Sequence, residues 1–148
     1  MKVLGIAVLA VAMMMTASGA LAKGKGGNET KLKAALTVPV AGGAKIGHAE
    51  FESKVKNGTT SSKLEVEVGQ ITLPVGTQVN FQVNGQTVGS ATVKADDSDG
   101  DDSGNGGTST GEAKLVLKTP KDTVPAIVKG STISVSTTDG IVFASGTF

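Results

Sequence analysis

The sequence predicts an all-β domain: an antiparallel sandwich or small barrel of about eight strands, built from an internal duplication plus a terminal hairpin. Three observations predict it. Apolar and polar residues alternate beyond Lys31, turn dipeptides separate the alternating runs, and the runs recur in the same order along the chain. No segment carries helical periodicity.

The alternation is clearest in "KLEVEV", where Leu64, Val66 and Val68 share one face and Lys63, Glu65 and Glu67 the other. In "TQVNFQVNG", Val79, Phe81 and Val83 stand opposite Gln78, Asn80 and Gln82. Asn84-Gly85 and Asp139-Gly140 read as two-residue type I′ hairpin turns, whose central positions both need positive φ.

The repeat sets the order of the elements. "GTQVNFQVNGQTVGSATV" from Gly76 matches "GSTISVSTTDGIVFASGTF" from Gly130 once a single residue near Thr138 is allowed as an insertion. Lys63-Leu64 precedes Pro74 by the spacing that separates Lys114-Leu115 from Pro125. A third copy, "GAKIGHAEF" from Gly43, aligns with "GQTVGSATV" from Gly85 and "GIVFASGTF" from Gly140. The unit is strand, turn, strand, loop, strand. Two units and a hairpin place strands at roughly 32–40, 45–55, 63–68, 78–83, 86–94, 113–118, 132–137 and 141–148. One side of the second strands is a small-residue stripe closed by a larger residue: Gly47, Ala49, Phe51; Gly89, Ala91, Val93; Ala144, Gly146, Phe148.

Ahead of this domain, Lys2, the apolar run Val3 to Ala17 and the A-x-A sequence Ala20-Leu21-Ala22 read as a secretory signal over residues 1–22. The run is shorter than the roughly 20 apolar residues that cross a bilayer. The expected organisation is therefore a signal at 1–22, a flexible polar segment at 23–31 and one β domain at 32–148 with an acidic loop inserted at 95–112, secreted or periplasmic. The chain has no cysteine, so neither a lipid anchor nor a disulfide is available to it.

Composition narrows the chemistry. All 14 basic residues are lysine, and arginine, tyrosine and tryptophan are missing. That removes the bidentate guanidinium used on phosphates and bases, and nucleic acid is not an expected partner. An outer-membrane barrel, which needs aromatic girdles, is rejected on the same count, so the mature chain is expected not to insert into membrane. Without Lys2 the chain has 13 lysines against 13 acids; setting aside Asp96, Asp97, Asp99, Asp101 and Asp102 leaves 13 against 8, a mildly basic body with an acidic loop.

That loop, "DDSDGDDSGNGG" at 96–107, is an insertion. Eleven residues separate Phe51 from Lys63 and 20 separate the equivalent Val93 from Lys114, a difference of nine. Asp97, Asp99, Asp101 and Ser103 are the candidate metal ligands. Read from Asp99, positions one, three and five of a calcium loop are Asp99, Asp101 and Ser103, with Gly104 at six, but Thr110 stands where a bidentate glutamate belongs. The expected cofactor is none or weakly held calcium, the competing reading being a solvated loop. No catalytic or cofactor-binding residue is assigned. His48, the one histidine, falls on the face opposite the small-residue stripe, and Glu50, Glu52, Glu65 and Glu67 fall on polar strand faces rather than across a cleft.

The segments "LPVGTQVNFQVNGQTVGSATV" and "VPAIVKGSTISVSTTDGIVFASGTF" resemble a group of small secreted bacterial all-β repeat proteins, planctomycete-like in style, and the resemblance covers most of the mature chain. It implies a bacterial exported domain and brings no active site with it. The layout is also loosely similar to CHRD-type extracellular domains, although only "GHAEF" surrounds the one histidine here. The expected function is a secreted, non-catalytic structural or binding module at the cell exterior, with an extracellular or cell-surface partner. The alternative is a calcium-dependent adhesion or glycan-binding module using the acidic loop, and the third class is an enzyme with an unrecognised site.

Overall fold

A computed structural model describes residues 28–95 and 110–148. It contains β1 (Glu29–Thr37), β2 (Lys45–Lys56), β3 (Thr59–Ile71), β4 (Gln78–Val83), β5 (Gln86–Thr92), β6 (Lys94–Ala95), β7 (Gly111–Lys118), β8 (Thr132–Thr137) and β9 (Val142–Thr147). All pair antiparallel in one sheet of order β5-β4-β8-β9-β1-β2-β3-β7-β6. The fold is the all-β class expected, in a nearly closed, barrel-like form.

Closure depends on Val93. The strand expected over 86–94 breaks there into β5, which pairs with β4, and β6, which pairs with β7. Both backbone groups of Val93 are engaged: its N–H donates to Thr77 O at 2.8 Å and its carbonyl accepts from Gly76 N at 2.8 Å. Its side chain is fully buried. One run of chain thus serves both ends of the sheet order, and Leu115 of β7 lies against Gly89 of β5 across the gap; a Cβ on Gly89 would stand 2.8 Å from Leu115 Cδ1. On the other side β1 and β9 share the single ladder pair Thr37–Ser145.

Three β-bulges recur at the aligned position of the second strands. Ile46 is the extra residue between Leu36–Gly47 and Thr37–Lys45, Val88 between Phe81–Gly89 and Gln82–Thr87, and Phe143 between Val135–Ala144 and Ser136–Val142. Each packs half-buried against the core, and the residue after each is small. Such bulges bend a strand and sharpen its twist, which a small barrel needs. At Gly47 there is a further reason: a Cβ would overlap the Glu67 carbonyl oxygen on β3.

The turns follow the Asn-Gly signal with one correction. Asn57 and Gly58 (φ 52° and 75°) and Asn84 and Gly85 (φ 50° and 80°) are type I′ pairs. Asp139-Gly140 is not, because only Gly140 (φ 90°) is left-handed. Gly140 N donates to Thr137 O at 3.1 Å and Thr137 N to Ile141 O at 2.9 Å, a three-residue loop ending in a left-handed glycine. This loop is one residue longer than the Asn84-Gly85 turn, and its type differs accordingly.

Strand limits differ from expectation where local chemistry intervenes. β1 starts at Glu29, since Glu29 to Lys31 pair with Lys54 to Glu52, so these residues are strand rather than polar tail. It ends at Thr37 because Pro39 has no N–H and the chain turns, Val40 N donating to Val38 O at 2.8 Å. The tight turn at Asn57-Gly58 carries β2 one residue past its expected end, to Lys56, and starts β3 four residues early, at Thr59.

The barrel interior holds Leu36, Leu64, Val66, Val68, Val79, Phe81, Ile133 and Val135, all fully buried, with Phe51 and Phe148 beside them. Burying each such side chain is worth about 1.5–3 kcal/mol. One end of the barrel carries the β1–β2 and β8–β9 loops, the β3–β4 connection and the roots of the acidic insertion. The opposite end carries the two Asn-Gly turns and the β7–β8 connection, whose Ile127 is buried in the core.

Candidate functional site

Strand alternation that turns the core residues inward turns a charged set outward from β1, β2, β3 and β7. Register aligns it in rows: Lys31, Glu52, Lys63 and Lys118; Lys33, Glu50, Glu65 and Val116; Ala35, His48, Glu67 and Lys114. Glu50 and Glu65 are direct cross-strand neighbours, a like-charge juxtaposition that is destabilising unless compensated.

Compensation comes from lysines on both flanks. Glu50 is paired with Lys31 and, at 3.2 Å, with Lys33; Glu65 lies 2.6 Å from Lys63 Nζ and 2.6 Å from Lys114 Nζ. The lattice continues through Lys31 to Glu52 at 2.7 Å and Lys114 to Glu67 at 3.1 Å. Hydrogen bonds from Lys114 and Lys63 hold the Glu65 carboxyl down to about 2, and those from Lys31 and Lys33 lower Glu50. Reciprocally, Glu50 and then Glu52 raise Lys31, and Glu65 and then Glu67 raise Lys114. Chemically the face is a partly solvated array of alternating charge in which lysines compensate the two adjacent acids.

His48 is exposed on this face, opposite Ala35 and Glu67, as its strand position predicted. It borders a polar hollow of about 390 Å³ with Lys45, Glu67, Gln70 and Glu112. Among the described residues no group of three or more histidine or acidic side chains is assembled to hold a metal ion. The sequence candidates Asp97, Asp99, Asp101 and Ser103 lie outside the described residues. Their anchorage is described: the insertion leaves β6 and returns through β7 across two ladder pairs, Lys94–Glu112 and Ala95–Gly111.

Sequence reasoning placed the acids and lysines on the polar face and did not join them, because the ion pairs depend on register across strands distant in sequence. It also missed Gln70, whose φ of 53° is unusual for a residue with a side chain. The available signal was Gly69-Gln70 interrupting the alternation of β3. No family model, curated protein or solved structure matches the chain.

Proposed function

We propose that the protein is a secreted, non-catalytic structural or binding module of the cell exterior: a self-sufficient barrel that presents a fixed charged face and carries the acidic insertion as an appendage. The observation that carries this reading is the Lys/Glu lattice on β1, β2, β3 and β7, where Glu50 and Glu65 are each engaged by two lysines and neither is raised towards the protonated form a general acid needs. An apolar interior under a charged outer face is the inverse of a membrane barrel, which supports a chain that works outside the bilayer. The leader-like residues 1–22 and the resemblance to exported bacterial domains support the location.

The experiment is expression of the full chain in a bacterial host, followed by intact mass of the exported product and its incubation with cell-exterior fractions. A product beginning at Lys23 that is captured saturably, without turnover of the captured material, supports the module. Retention of residues 1–22 in the membrane fraction, or consumption of an exterior polymer, contradicts it. Capture that requires calcium and the aspartates of the insertion replaces it with the calcium-dependent adhesion or glycan-binding reading.

A further inference from the structure

The loop-bearing end of the barrel contains an apolar hollow of about 340 Å³ between the end of β3, the start of β2 and the β8–β9 hairpin. Its wall is Ile46, Ile71, Leu73 and Phe143, with Ile141, 63 % exposed, beside them. Gln70, Thr72 and Thr137 supply one amide and two hydroxyls, and no charged side chain among the described residues lines it.

Three irregularities of the ladder meet there. Ile46 and Phe143 are the extra residues of two bulges. The third lies in β3, where Gly69 and Gln70 together occupy the interval between the pairs Val68–Ala113 and Ile71–Gly111, with Gln70 in the left-handed region at φ 53°. A side chain in that conformation is strained, and such strain gathers at binding sites. The third aligned bulge residue, Val88, borders a different, polar-edged concavity at the far end, so the hollow is not a by-product of the repeat alone.

Volume and chemistry limit the occupant. The hollow is roughly twice the 150 Å³ dry cavity that accepts benzene and lies at the lower end of the range for small-molecule pockets. We propose that it binds a small, uncharged, mainly apolar molecule of about ten carbon-sized atoms with one hydrogen-bonding group, such as a two-ring aromatic alcohol. This names a ligand class for the binding-module reading and rests on that reading only for its biological use.

The test is titration of residues 23–148 with 1-naphthol. Its emission is read without interference, because the chain has no tryptophan or tyrosine. Saturable one-to-one binding is expected, with amide shifts centred on Ile46, Ile71 and Phe143. Thr72→Phe, which fills the hollow from an exposed position, and Ile141→Lys, which sets a charge beside it, should each weaken binding at least tenfold while the melting temperature holds. The proposal is overturned by no saturable change up to the solubility limit, by shifts centred elsewhere, or by wild-type affinity in both variants. Capture of exterior material by these same variants, unchanged from wild type, would separate failure of this site from failure of the module reading.

Discussion

Glu50 on β2 and Glu65 on β3 stand directly opposite each other, and each carboxylate is engaged by two lysines, Lys31 and Lys33 for the first and Lys63 and Lys114 for the second. Left alone, the two acids would repel and resist ionisation. With the lysines in place both are held below the ordinary carboxylate range.

The pH dependence has a definite sign. A carboxylate whose folded value is depressed contributes stability above its unfolded value and loses it as pH falls through the folded one. For Glu65 that window runs from the ordinary 4.5 down to about 2. Wild type should therefore melt at a higher temperature than Glu65→Gln at pH 7, and the difference should shrink on acidification through this range. Thermal melts of both proteins from pH 7 to pH 2 check this. A variant that is more stable at neutral pH would mean that repulsion from Glu50 dominates. Since the pairs are partly solvated, added salt should also narrow the difference.

Two glycines of the small-residue stripe should respond differently to alanine. At Gly47 the new methyl meets the Glu67 backbone, which is fixed by the ladder, whereas at Gly89 it meets the terminal methyls of Leu115, which can rotate. Gly47→Ala is expected to cost at least the 1–3 kcal/mol typical of overpacking, and Gly89→Ala clearly less. Urea midpoints at constant slope measure both; equal losses would contradict the backbone approach at Gly47.

The hairpin turns separate by type. Gly85→Val and Gly140→Val should each destabilise by more than the roughly 0.5 kcal/mol of a surface change, because both glycines are left-handed. Asn84→Ala should cost about 0.5–1.5 kcal/mol for the exposed hydrogen bond, with left-handed strain added to it. It removes an Oδ1 that accepts from Thr132 N at 2.9 Å, and places alanine at φ 50°. Asp139→Ala should be nearly neutral, since Asp139 is not left-handed. Melting temperatures of the four variants decide it, and a loss at Asp139 matching that at Asn84 would contradict the turn assignment.

These contrasts also show how much the chain declared in advance. Period-two runs such as Leu64-Val66-Val68 and dipeptides such as Asn84-Gly85 are local signals, and the β class, most strands and much of the core follow from them. Val93 was not legible as the point where one strand changes partners, because its neighbours alternate normally on both sides. Asp139-Gly140 looked like Asn84-Gly85, and although the alignment showed an extra residue near Thr138, which hydrogen bonds it would alter did not follow from the dipeptide. The Lys/Glu lattice and the hollow beside Phe143 depend on pairings between distant strands, which alternation constrains in face but not in register.

The central claim is that the barrel is complete without the acidic insertion, which serves the module rather than the fold. Replacing residues 96–110 with Asn-Gly would join Ala95 to Gly111 as Asn57-Gly58 joins Lys56 to Thr59, preserving the β6–β7 ladder. The most direct measurement is thermal melting of this variant and of wild type, in chelator and in millimolar calcium. The account predicts cooperative melting of both at closely similar temperatures in chelator, with any calcium-induced rise confined to wild type. A shortened chain that fails to fold, or melts far below wild type in chelator, would contradict it.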